Sequence, residues 1–229
     1  MKMQCQKCAS QGSCIEHVPI FSSLSRDERL EIIEIAASRS FDKGENIYST
    51  GDLGGKLFVL HTGKVKVYRL NPNGKEQVLR VIEPGEFIGE LSLFSSLPLT
   101  DNAQALEATT MCVLQGQRIK ELMAKYPSIA IKVMDELSRR LENAENMIET
   151  ISLSSVTKRV AQALLELSAD QEDIILPMTK GDFASQLAMS QETLSRKLTA
   201  LQEAGYIVLK GQRQIQIKNK SQLVEISME

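Results

Sequence analysis

No stretch of this 229-residue chain approaches the about 20 consecutive apolar residues that cross a bilayer, so transmembrane helices are excluded. Met1 to Ser10 are polar and lack an apolar signal core, which predicts a cytoplasmic protein. Neither sign of charge dominates. Lys and Arg total 27 against 29 Asp and Glu, a net charge of -2, so the chain as a whole is no basic nucleic-acid binder. Histidine is scarce: His17 and His61 are the only two, and no Ser-His-Asp or paired-carboxylate constellation has positional support, so no enzyme is expected. Four Cys are too few for a disulfide scaffold of this length. The remaining composition, 42% hydrophobic and 24% charged, excludes a disordered or collagen-like chain. The chain is also long enough to bury a core without staples. The cysteines are unevenly placed, with Cys5, Cys8 and Cys14 inside the first fourteen residues. In a reducing compartment such clustering points to metal or redox chemistry.

Periodicity divides the chain into a Cys-rich segment (1–18), a β-rich region (19–126), a long helix (127–152) and a C-terminal domain (153–229). Residues 25–38 predict a short helix with Leu30, Ile33 and Ala37 on one face. Ser25 and Glu28 provide a capping box. From Phe41 to about Gln115, short alternating runs such as Asn46–Tyr48, Leu57–Leu60, Lys64–Tyr68 and Gln77–Ile82 are broken by Gly44, Gly51, Gly63, Gly74, Gly85 and Gly89. Asn73-Gly74 is a strong hairpin signal. Many short strands with regular turns predict a sandwich, roll or barrel. In residues 128–151, Met134, Leu137, Leu141, Ala144, Ile148 and Ile151 repeat at alternating spacings of three and four. Such a seam also suits a helix packed on its own β domain, but its narrowness favours a two-fold coiled-coil dimer interface. Residues 155–168 predict another amphipathic helix, through Val156, Val160, Ala163, Leu164 and Leu167.

Residues 179–204 predict two short helices in succession. Thr179 caps the first, whose apolar face is Phe183, Ala184 and Leu187. Ala188-Met189 connects them, and Ser190 caps the second, which buries Leu194, Leu198 and Leu201 and ends at Gly205. Tyr206–Leu209 and Gln214–Ile217 then alternate around Lys210-Gly211-Gln212-Arg213, a β-hairpin. The whole reads as a winged helix-turn-helix. The exposed face of the second helix carries Gln191, Glu192, Ser195, Arg196 and Thr199. Arg196 can fork onto a guanine and Glu192 can accept from a cytosine amino group. Thr179, Lys180, Lys197, Lys210 and Arg213 are candidates for phosphate contacts, which position without specifying. From residue 153 onward nine Lys and Arg face nine Asp and Glu. A neutral domain must gain affinity from local clustering and from dimerisation.

A β-roll, a long helix and a winged helix in this order resemble the CRP/FNR family of bacterial transcription regulators over nearly the whole chain. Phe41-Asp42-Lys43-Gly44-Glu45, Gly51-Asp52 and Gly85-Glu86-Phe87-Ile88-Gly89-Glu90-Leu91 look like the family's roll. The resemblance implies an α+β fold: an N-terminal double-stranded β-roll (jelly-roll) sensor domain, a dimerisation helix and a C-terminal winged helix-turn-helix. In the cAMP-binding branch, a Gly-Glu pair is followed about ten residues later by Arg-Ser or Arg-Thr, which binds the cyclic phosphate. Here Gly89-Glu90 are followed by Thr100-Asp101. An Asp repels a phosphate, and no Arg stands at that place to fork onto it. Cyclic-nucleotide binding is therefore not expected, and Gly89-Glu90 are read as a tight turn.

Ala103–Glu107 with Met111-Cys112 resembles the FNR segment around its internal Cys. Glu192-Thr193-Leu194-Ser195-Arg196 matches the FNR-type Glu-x-x-Ser-Arg pattern, with Gln191 where the cAMP-receptor type has Arg. The resemblance implies palindromic DNA with TTGAT-type half-sites, read by Glu192, Ser195 and Arg196, and RNA polymerase as a partner. Cys5-x2-Cys8-x5-Cys14 with Cys112 resembles the FNR ligand set for a [4Fe-4S] cluster. Four thiolates equally suit tetrahedral zinc, and exposed thiols a dithiol–disulfide switch. A small molecule in the roll is the remaining alternative signal.

Overall fold

The computed structural model describes residues 18–22, 24–95, 97–168 and 171–228. Cys5, Cys8 and Cys14 lie outside the described residues. A 3-10 turn at Pro19–Phe21 leads into α1 (Arg26–Ile35), β1 (Ala37–Phe41), β2 (Asn46–Tyr48), β3 (Lys56–Thr62), β4 (Val65–Leu70), β5 (Glu76–Ile82), β6 (Phe87–Ile88), α2 (Glu90–Ser95), β7 (Asn102–Ala105) and β8 (Thr109–Gln115). Then follow α3 (Gly116–Lys125), α4 (Pro127–Leu153), α5 (Val156–Ser168), β9 (Asp173–Ile175), α6 (Lys180–Gln186), α7 (Gln191–Glu203), β10 (Ile207–Lys210), β11 (Gln214–Ile217) and α8 (Lys220–Met228). Two compact units result. One takes the chain through Leu70 with Leu79–Leu141, the other Asn71–Val78 with the chain from Glu142 on.

In the first unit, two four-stranded antiparallel sheets run in the orders β1-β8-β3-β6 and β2-β7-β4-β5. Side chains alternate between the faces of a strand, and here both faces of one sheet are covered. Phe58 and Leu60 of β3 with Met111 and Val113 of β8 join a core that also holds Tyr48, Val65, Val67 and Ala103 from the facing sheet. The intervening Leu57, Val59, Cys112 and Leu114 point the other way. They meet Ile32 of α1, Ile119 and Leu122 of α3, and Ile129 and Val133 of α4. The expected helix after Ser25 forms with its capping box, but it stops at Ile35. Its buried residue is Ile32; Leu30 is half exposed and Ala37 already opens β1, because tertiary packing and not sequence period chose the face.

In the second unit, Thr179 caps α6 by accepting from the Asp182 N–H, and Ser190 caps α7 by accepting from the Thr193 N–H. Gly205, at φ +77°, ends α7. β10 and β11 form the wing, joined by β9 as a third strand. The C-terminal α8, unforeseen in the sequence, packs against α5.

Candidate nucleic-acid interface and sensor cavity

The α6–α7 connection sets how the exposed face of α7 is presented. α6 ends in a Schellman arrangement: the Met189 N–H donates to the Ala184 carbonyl and the Ala188 N–H to the Ser185 carbonyl, each at 3.0 Å. The left-handed residue such a turn requires is usually Gly. Here it is Ala188, at φ +52°, the one non-Gly residue with positive φ among those described. A side chain in that region costs roughly 1–2 kcal/mol, so its surroundings must hold it.

Beyond the turn, Leu194, Leu198 and Leu201 bury one side of α7. Gln191, Glu192, Ser195, Arg196 and Thr199 are all exposed on the other. Arg196 lies 3.8 Å from Glu192, an exposed i,i+4 pair worth only a few tenths of a kcal/mol. Both side chains remain available to base edges. Of the expected phosphate contacts, Thr179 and Arg213 are exposed, and Lys180 and Lys197 are half-buried. The Thr179 hydroxyl is also committed to its capping role and donates to Asp182 Oδ2. Lys210 pairs with Asp173 at 3.1 Å.

Along α4, Met134, Leu141, Ile148 and Ile151 are exposed, as is Ala144. Leu137 leans on the roll's helix-side core instead. Ile131, missed in the sequence, is also exposed one turn before Met134. No described helix is long and apolar enough to cross a membrane.

The roll holds a cavity of about 210 Å³ lined by Tyr48, Arg80, Glu90, Thr100 and Asp101. Gly89 belongs in its turn for two reasons: φ is +92°, and a Cβ would sit 2.3 Å from the Lys56 carbonyl oxygen. Glu90 does far more than turn the chain, a correction to its reading as a turn residue. It is 3% exposed, and its Oε1 accepts from Arg80 at 2.7 Å and Arg140 at 2.8 Å. Arg140, on α4, also binds Glu136 Oε1 and the Phe87 carbonyl, and stacks over the Phe87 ring. Burial pushes the Glu136 carboxyl up, but hydrogen bonds from Arg139 and Arg140 outweigh it and hold it below its ordinary value.

An arginine therefore does reach the cavity. Arg80 comes from β5, ten residues before Glu90 rather than ten after it, but it is already committed to Glu90. Arg69 donates to the Thr100 hydroxyl. Asp101 is buried, and desolvation raises its carboxyl above the ordinary value. The Tyr48 bond and the Arg80 and Arg69 charges oppose that rise, while Glu90 adds to it. Above the unfolded aspartate range a raised carboxyl costs the fold stability, a penalty that disappears as protonation becomes shared by both states. Asp101→Asn is thus expected to raise the melting temperature at pH 7, with the gain vanishing below about pH 4, the ordinary aspartate range. Calorimetry across that range checks it; a gain independent of pH would contradict the desolvated carboxylate.

Among the described residues no group of three or more His, Cys, Asp or Glu is placed to hold a metal. Cys112 is 3% exposed and faces the helix-side core with Val18, Ile129 and Val133.

Comparison with known proteins agrees with this architecture. The cyclic nucleotide-binding domain model matches residues 38–126 and the Crp-like helix-turn-helix domain model residues 158–226. The probable transcriptional regulator flp of Lacticaseibacillus casei is 30% identical over 94% of this chain and 98% of its own. The cyclic AMP receptor protein of Thermus thermophilus is also 30% identical, over 91% and 96%. The transcriptional activator protein anr of Pseudomonas aeruginosa is 27% identical over 90% and 86%. Overall identity thus does not separate the two branches. The structure of FixK2 from Bradyrhizobium japonicum superposes with a TM-score of 0.73 at 26% identity, covering 84% of this chain and 97% of its own. The curated relatives named here are regulators and receptors, with no catalytic family among them.

Proposed function

The chain belongs to the CRP/FNR family of transcription regulators, and from that premise we propose a homodimeric DNA-binding switch governed by oxygen or redox state. The observation that carries this reading is one buried cluster. It holds Cys112, Val18 at the end of the Cys-rich segment, and Ile129 and Val133 at the root of α4. Cys14 precedes Val18 by four residues, a tether of at most about 14 Å. Cys5, Cys8, Cys14 and Cys112 then supply four thiolates, and the closed, apolar setting of Cys112 fits a [4Fe-4S] ligand. Such a cluster supplies sensitivity to oxygen. The protein's own part is to tie the segment to β8 beside the helix that carries the dimer seam, so that release of the segment reaches the seam through shared packing. Zinc or a dithiol–disulfide pair on the same thiolates is the alternative chemistry.

Anaerobic purification followed by iron and sulfide analysis tests the assignment. Iron and sulfide are expected in the wild type and lost in each Cys→Ser variant. No iron, with the same variants still changing DNA affinity under oxidant, would replace the cluster by a thiol switch. A roll-pocket sensor, favoured by the cavity beside Glu90, would ignore all four cysteine changes.

In the DNA-bound dimer, Glu192, Ser195 and Arg196 read a palindromic TTGAT-type site, with Gln191 beside them. Thr179, Lys180, Lys197 and Arg213 set the register on the phosphates, and RNA polymerase is the partner in the cytoplasm. Arg196→Ala is expected to cost about 1–3 kcal/mol of discrimination between specific and scrambled duplex, the scale of one bidentate base contact. Equal losses on both duplexes in a gel shift would make Arg196 a phosphate contact instead.

A further inference from the structure

We propose that Arg159, a buried cation on α5, is the positioning residue for DNA recognition. It does so by holding the turn that aims α7. Arg159 is only 9% exposed. Its Nη1 donates to the Leu187 carbonyl at 2.7 Å, its Nε is buried without a hydrogen-bond partner, and no carboxylate among the described residues pairs with it. Packing alone does not explain such a group. A buried charge without a counter-ion is costly, and an apolar side chain of similar length would fill the same space beside Val160 and Leu164 without that cost.

What the guanidinium meets accounts for it. Leu187 is the C-cap of α6, and the carbonyls of a helix's last turn have no partner within the helix. A charged donor on such a carbonyl forms one of the stronger hydrogen bonds available and suits the negative end of the helix. The next residue is Ala188, held in the left-handed region without glycine's freedom. Two residues on, Ser190 opens α7. Arg159 therefore grips the chain directly before its strained residue, three residues from the start of the reading helix. Without that grip, the Leu187 carbonyl loses this donor and the strained turn can relax. The α6–α7 angle then widens to a range of values, and Glu192, Ser195 and Arg196 no longer arrive at base edges together. This inference rests on the DNA-reading role of α7 but makes a separate claim about α5.

The test uses the full-length protein as wild type, Arg159→Met and Arg159→Lys, with two readouts on folded samples. Amide hydrogen exchange is followed at Ala188 and Met189, whose N–H groups close the turn, and at Ile207 and Ile215 in the wing. Fluorescence anisotropy gives the ratio of affinities for a duplex selected by the wild type and for a scrambled one. For Arg159→Met, exchange at Ala188 and Met189 is expected to accelerate about tenfold or more, with the wing unchanged. The specific-to-scrambled ratio should fall by a similar factor, the scale of one hydrogen bond to a charged group. Arg159→Lys should recover part of both. Should Arg159→Met not fold, the lysine variant alone is expected to give the smaller, turn-confined acceleration. Exchange that speeds up equally in turn and wing, or an unchanged affinity ratio, overturns the proposal and leaves Arg159 a general support. A wild type that selects no duplex overturns the DNA reading, while the exchange data still decide whether Arg159 holds the turn.

Discussion

Replacing Arg140 with alanine is expected to destabilise the roll unit by about 3 kcal/mol, read as a lower urea midpoint at unchanged slope. One side chain here serves four groups. It binds Glu90 at 2.8 Å, Glu136 at 2.8 Å and the Phe87 carbonyl at 2.9 Å, and it stacks on the Phe87 ring. Alanine leaves Glu90 buried with Arg80 alone, and leaves the Phe87 carbonyl without this donor. Arg80 keeps Glu90 from standing entirely uncompensated, which sets the expected loss at the lower end of what breaking a buried pair costs. Arg140→Lys should recover little, because an ammonium cannot present the planar fork that reaches these partners at once. A loss below about 1 kcal/mol, the scale of an exposed pair, would mean that the network contributes little to the fold.

The second large effect concerns association. Leu141→Glu is expected to turn a dimer into a monomer in sedimentation, and to weaken binding to a palindromic duplex by about a hundredfold or more, as two linked half-sites become independent. Leu141 is 61% exposed in the single chain, so its substitution should change the stability of the isolated fold by no more than about 0.5 kcal/mol. The separation of the two readouts makes the test sharp. A variant that stays dimeric would move the interface off the Met134–Ile151 stripe, whereas one that unfolds would return the stripe to intramolecular packing. Ile148→Glu, on the same stripe and 65% exposed, should behave alike.

Much of the architecture was legible because local chemistry agrees with the fold. The capped helices after Ser25, Thr179 and Ser190 form where their caps stand. β2 spans the Asn46–Tyr48 run, and Gly74 takes the positive φ of its turn. Elements without such signals were missed. β9 is three residues long and exists through its pairing with β11, while α2 and α3 are held by packing against the roll. The same distinction holds at the site. The exposed face of α7 follows from helical spacing within thirteen residues. Glu90 was read as a turn because its partners stand ten and fifty positions away, a separation no local pattern encodes. Arg159 sits in an amphipathic stretch where a cation ordinarily meets water; only the return of the chain at Leu187, 28 residues on, buries it.

One consequence of the Arg140 network is mechanical. Up to this residue α4 is gripped, first by Ile129 and Val133 in the core and then by the Glu90 bonds. From Leu141 onward its apolar stripe is open. The helix is thus clamped as far as Arg140, and its apolar stripe runs on for about 16 Å to Ile151 at 1.5 Å per residue. A small tilt at the clamp would be magnified over that length. In the dimer proposed above, a shift within the roll too slight to break any of its hydrogen bonds would draw the far apolar residues of one helix away from those of the other. On the reading proposed above, such a lever would give an inexpensive rearrangement near Cys112 the reach to decide whether two chains stay engaged.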